Sequence, residues 1–124
     1  MERYLADLSE FRGIRIEAYA ADWKVQRIVE RTLHLVVEAA MDIADHLVAD
    51  RRLPVPETAA GAFAALADAG LLDAELARAL GRMVAFRNIL VHDYARLDPH
   101  IVLRILQSNL TDVERFRDAV LRVL

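Results

Sequence analysis

Cysteine is absent from the 124 residues. No disulfide and no thiolate metal site can form, and a reducing compartment is the expected home. Proline and glycine are scarce, three and four residues respectively, too little turn material for an all-β chain of this length. Aromatic residues amount to 6%, so any core must come mainly from Ala, Leu and Val, of which Ala and Leu enter a helix at little cost. No apolar run approaches the roughly 20 residues of a membrane span. The opening MERYLADLSEFRGIRIE is charged and amphipathic and contains no signal core. A soluble, cytoplasmic protein is therefore expected. A basic excess is missing too: the net charge of −3 argues against non-specific nucleic-acid binding, though it leaves room for one local basic cleft.

What is present is apolar material in helical order. Hydrophobic residues make up 56% of the chain, and the length suits a single domain over residues 1–124. The pattern predicts an all-α, antiparallel bundle of about five helices. The first is expected from Arg3 to Ala20, with Leu5, Leu8, Phe11, Ile16 and Tyr19 on its apolar face. The second, Asp22 to Ala49, repeats Val29, Leu33, Val36, Ala40, Ile43 and Leu47 in steps of four and three, the seam of a helix packed nearly antiparallel to its neighbours. Pro54 and Pro56 mark the connector. A third helix, Glu57 to Ala69, should stop at Gly70; a fourth should run from Asp73 to Tyr94. Asp98 and Pro99 supply the cap and first turn of a fifth, reaching nearly to Leu124. The second helix, about 42 Å at 1.5 Å per residue, is long for so small a domain. It should carry apolar surface beyond one chain, and a homodimer through helix packing is expected.

The segment Met83-Val84-Ala85-Phe86-Arg87-Asn88-Ile89-Leu90-Val91-His92-Asp93-Tyr94 sets chemically capable side chains among apolar ones. Arg87 and Tyr94, seven apart, lie within about 20° of each other on a regular helix. Asn88 and His92 stack one turn apart. Arg87 and His92 diverge by about 140°. Either the helix ends or distorts near His92, or two chains pool their residues; the second agrees with the expected dimer. The set suits metal-independent RNA cleavage. Histidine can exchange a proton with a ribose hydroxyl or a leaving oxygen. Arginine can brace the phosphate as charge grows. Asn88 can hold the imidazole or a phosphate oxygen, and Tyr94 can meet a base or phosphate. The same residues could equally form a buried hydrogen-bonded knot between helices.

Arg87 to Tyr94 resembles the R-x4-H-x-Y signature of HepT toxins, a branch of the HEPN superfamily. The stretch Arg31 to Leu47, the Pro-containing connector, the Phe63-Ala64-Ala65-Leu66 turn and Leu71-Leu72 are similar to the same family, so the likeness spans nearly the whole chain. The resemblance implies a HEPN-like domain and the toxin of a type VII HEPN/MNT toxin–antitoxin pair. It implies that Arg87 and His92 are the catalytic pair of an endoribonuclease in a cleft between protomers, acting on tRNA or mRNA without cofactor. It further implies that Tyr94 is the acceptor of AMP units transferred from ATP by an MntA-like nucleotidyltransferase antitoxin. Bulk and negative charge would then occupy the place of RNA phosphate. Asn88, Asp93 and Tyr94 are the supporting residues. An alternative is a non-catalytic helical module that binds nucleotide or docks a nucleotidyltransferase; another is a substrate for adenylylation alone.

Other groups carry weaker signals. Glu38 and Asp42 could orient Arg87 or His92 of the same or the partner chain. His34 between Glu30 and Glu38, and Asp42 before His46, have helical spacing for a metal, but no second segment completes a site and no metal is expected. Arg78, Arg82 and Arg96 flank the motif and could form a positive rim. Arg51 and Arg52 read as a solvated pair, Trp23 as core or dimer packing, and His100 as a surface residue.

Overall fold

A computed structural model describes residues 1–92 and 97–124, and among them every regular element is helical. The long helix α3 (Trp23–Asp50, 28 residues) is the axis of the fold. The Asp22 carboxylate opens it, accepting the Lys24 and Val25 N–H groups at 3.1 and 3.2 Å. Five of its six seam residues, Val29, Leu33, Val36, Ala40 and Leu47, are buried, and Ile43 packs partly buried against them. Its end is unusual, because Arg52 takes the left-handed backbone (φ 53) that glycine favours. With Arg52 so placed, the Leu53 N–H reaches back to the Val48 carbonyl at 3.0 Å, closing the helix in a Schellman turn.

Around α3 pack α1 (Glu2–Ser9), α4 (Gly61–Asp68), α5 (Ala74–His92) and α7 (Leu110–Val123). Two short pieces complete the chain: α2 (Ile16–Ala21), and α6 (Pro99–Arg104), which continues into α7 through a π-helical segment, Ile105–Asn109. Phe63 of α4 and Phe116 of α7 meet edge to face, centroids 5.5 Å apart, both almost fully buried. At the end of α4, Gly70 (φ 80) lets Leu71 N–H bond the Leu66 carbonyl at 2.9 Å, a second Schellman turn at the expected stop. Asp98 caps α6 through the His100 N–H at 2.9 Å with Pro99 in the first turn, as the sequence suggests. The same N–H, followed by the His100 side chain, holds the Asp98 carboxyl below the usual range.

Several expectations are corrected. The first helix is two: Ser9 ends α1, a turn through Gly13 intervenes, and an extended Arg15 starts α2. The break redirects the chain so that Tyr19 enters the core with Leu5 and Leu8; Gly13, costly within a helix, sits where the helix stops. The third helix begins at Gly61, not Glu57, because the Thr58 hydroxyl and carbonyl both take the Gly61 N–H, fixing a turn ahead of the helix. A Cβ on Gly61 would lie 2.8 Å from Pro56 Cβ, so glycine lets the connector fold down onto the helix start. The Phe63 to Leu66 stretch lies inside this helix, as the expected span has it. Trp23 is 64% exposed and not part of the core. The expected fourth-helix end at Tyr94 lies outside the described residues.

Candidate functional site

Helix α5 buries Leu80, Met83, Val84, Phe86 and Leu90 against its neighbours. Arg87 falls at the edge of that face. Its side chain is 19% exposed and turns toward α3, where Nη1 meets Glu38 Oε1 at 3.0 Å and Nη2 approaches the Met41 sulfur at 3.7 Å. Its Nε is buried and, among the described residues, has no hydrogen-bond partner. Burial and one carboxylate therefore fix the guanidinium in place, with one donor left uncompensated.

His92 is the last residue of α5, and it is exposed. Its orientation follows from periodicity: the helix continues through His92, so the five-residue step carries the imidazole away from the face that Arg87 shares with α3. Asn88 is exposed on the intervening turn, flanked by exposed Ile89 and Val91. Within one chain, Arg87 is anchored inward while Asn88 and His92 face outward. Asp93, Tyr94 and Arg96, which the sequence also singles out, lie outside the described residues.

Glu38 does more than face Arg87. Its Oε1 also lies 3.5 Å from His34 Nε2, and His34 Nδ1 is 3.0 Å from Arg31 Nη1. A polar chain thus runs Arg31–His34–Glu38–Arg87 across the α3–α5 seam. His34 and Arg31 were not legible as its members from spacing alone, although the i, i+3 and i, i+4 steps between them are what places them on one face. Asp42 is exposed, one turn further along α3. Among the described residues no three His, Asp or Glu side chains gather as a possible metal cluster.

A groove of about 350 Å³ opens beside this chain, lined by Arg27, Glu30, Arg31, His34, Leu90 and Val91. Arg27 binds both Glu30 oxygens, at 3.0 and 3.2 Å. Burial pushes the Glu30 carboxyl up, and Arg27 pulls it partly back. A larger apolar groove of about 640 Å³ lies between the second half of α3 and the end of α7, floored by Ile43, Leu47 and Val120; it contains neither Arg87 nor His92. Arg78 lines a different cleft, between α4 and α5, and does not join a rim around Arg87.

Comparison with known proteins adds independent findings. The family described as Ribonuclease HepT-like matches residues 1–120. The mRNA nuclease HepT of Shewanella oneidensis is 35% identical over 102 residues, covering 82% of this chain and 77% of that protein. The tRNA nuclease HepT of Aphanizomenon flos-aquae is 36% identical over 108 residues, covering 87% and 74%. The solved structure of the tri-AMPylated Shewanella oneidensis HEPN toxin in complex with MNT antitoxin superposes with a TM-score of 0.80 at 31% identity, over 98% of this chain and 96% of that one.

Proposed function

This chain belongs to the HepT-like ribonuclease family, and on that footing we propose that residues 1–124 form one HEPN-like domain that acts as a metal-independent endoribonuclease toxin, with Arg87 and His92 as its catalytic pair. The observation that carries the reading is their arrangement on α5: a guanidinium clamped by Glu38 and, five residues on, an exposed imidazole at the helix end. Arg87 steadies the phosphate as negative charge builds on it. His92 moves the proton between the ribose 2′-hydroxyl and the leaving 5′-oxygen. Asn88, exposed one turn below His92, orients the imidazole or a phosphate oxygen; Asp93 and Tyr94 complete the RNA-contacting set.

The site is shared between two chains. Arg87 and His92 of one α5 diverge, and a symmetric dimer brings the guanidinium and imidazole groups of both chains to one groove. Exposed Ile28 and Ile89 around the same end supply apolar surface for that contact. Tyr94 is the residue that a nucleotidyltransferase antitoxin adenylylates, placing phosphate charge where RNA must bind. The chain carries no helix long and apolar enough to cross a membrane, among the described residues.

Purified protein incubated with tRNA and mRNA in EDTA tests the reading. Wild type cleaves; His92→Ala and Arg87→Ala each lose about 100-fold or more in kcat while their melting curves still show a folded protein. Equal cleavage by wild type and His92→Ala would remove the catalytic assignment. Mixing the two inactive variants tests the shared site: partial recovery of activity is expected on subunit exchange. Mass analysis after incubation with ATP and the antitoxin should place AMP on Tyr94 and not on Tyr94→Phe.

A further inference from the structure

We infer that the groove between the first half of α3 and the last turn of α5 is a subsite for a phosphodiester of the single-stranded RNA flanking the cleaved bond, with Arg31 as its anion contact. The inference rests on the ribonuclease reading above and adds to it residues that lie outside the Arg87–His92 motif.

Two arginines line the groove and they are not equivalent. Arg27 is engaged by both oxygens of Glu30, so its charge is spent within the wall. Arg31 is exposed and, among the described residues, meets an imidazole and no carboxylate. A guanidinium only donates hydrogen bonds, so the His34 nitrogen it meets, Nδ1, must be the acceptor. The ring proton therefore sits on Nε2, toward Glu38 Oε1 at 3.5 Å. The arrangement leaves Arg31 its full positive charge and its remaining N–H donors, oriented by a ring that Glu38 in turn steadies. That is how a phosphate contact is preorganised.

The rest of the groove fits the same ligand. Leu90 and Val91 give it an apolar side, suited to an unstacked base whose phosphate rests on the arginine. The groove adjoins the proposed site through its own wall, because the Arg31–His34–Glu38 chain ends on Arg87 and Leu90 lies one turn beyond Arg87 on α5. A net charge of −3 means that phosphate contacts must be local, and Arg31 supplies one.

The test uses the full chain carrying His92→Ala, which holds RNA without cutting it, and a fluorescent single-stranded oligoribonucleotide followed by anisotropy over a salt series. Adding Arg31→Ala should weaken binding about tenfold and lower the slope of log affinity against log salt by about 0.7, the value for one phosphate contact on a single strand. Arg31→Lys should keep the slope. In the protein with His92 intact, Arg31→Ala should raise KM for a long oligonucleotide far more than for a dinucleotide too short to reach the groove. Unchanged affinity and slope, in a protein whose wild type cleaves RNA, would overturn the subsite while leaving the ribonuclease reading intact. An equal loss on dinucleotide and oligonucleotide would also overturn it, since Arg31 would then act only through Glu38 on Arg87. Wild type that neither binds nor cuts RNA would remove both.

Discussion

The two ends of the bundle are built on different rules. Where α4 meets α7, Phe63 and Phe116 pack edge to face, Leu66, Leu110 and Val113 of the same helices are almost fully buried too, and the α4 terminus is closed by a left-handed glycine. Where α5 leaves the core, a buried guanidinium nitrogen lacks a partner among the described residues, and a histidine and two large apolar residues face solvent. The first end has apolar packing and closed helix termini. The second keeps polar and apolar groups in positions that a purely stabilising design would change. Stability and chemistry are thus separable here, and substitutions should show it.

The largest effect is expected from Phe116→Ala, which removes one half of the aromatic pair and should cost about 3–5 kcal/mol in urea denaturation. Under conditions where the variant remains folded, its cleavage rate should stay near wild type; a loss of kcat comparable to that of His92→Ala would join the two ends after all. Glu38→Gln comes next. It keeps the shape but loosens the clamp on Arg87, and kcat should fall about tenfold with KM little changed. Its stability cost should be below about 1 kcal/mol, because the ion pair is partly solvated. Arg52→Gly relieves a side chain held at φ 53 and should stabilise the protein by about 0.5–1 kcal/mol, read as a higher denaturation midpoint. The smallest change is Tyr19→Phe. The Tyr19 hydroxyl is buried, has no hydrogen-bond partner among the described residues, and burial, with Glu30 adding to it, drives its ionisation well above the ordinary phenol range. Removing that oxygen should be neutral or stabilising by less than about 1 kcal/mol; a clear loss of stability would reveal a partner for it.

Much of the frame was legible because periodicity reports burial. The seam from Val29 to Leu47 fixed α3 almost to the residue, and Asp22, Gly70, Asp98 and Pro99 marked boundaries through cap chemistry that depends only on local sequence. The break between Ser9 and Ile16 was not legible. Leu8, Phe11 and Ile16 continue an apolar pattern across it that outweighs the one local signal, Gly13, and the break brings Tyr19 into the core. Within the site, the motif named Arg87 and His92, and Glu38 was a reasonable partner from its place on α3. The involvement of His34 and Arg31 depends on how α3 and α5 are rotated against each other, which no spacing within one helix encodes. Trp23 misled as a core candidate: a large apolar side chain suggests burial, but at the first residue of α3 it is 64% exposed.

The wide turn at Ile105–Asn109 has a consequence for the whole assembly. Val102, Leu106 and Leu110 are all buried and follow one another in steps of four. In a regular helix each such step drifts by about 40°, so the third would have wandered off the inward side. The i→i+5 bonding of the π segment absorbs that drift and resets the angular phase for Val113 and Phe116. Winding the segment into an ordinary helix at unchanged length would rotate everything downstream by about 100°, swinging Phe116 away from Phe63. Helix α7 therefore works as a dial set to one position by the width of that single turn.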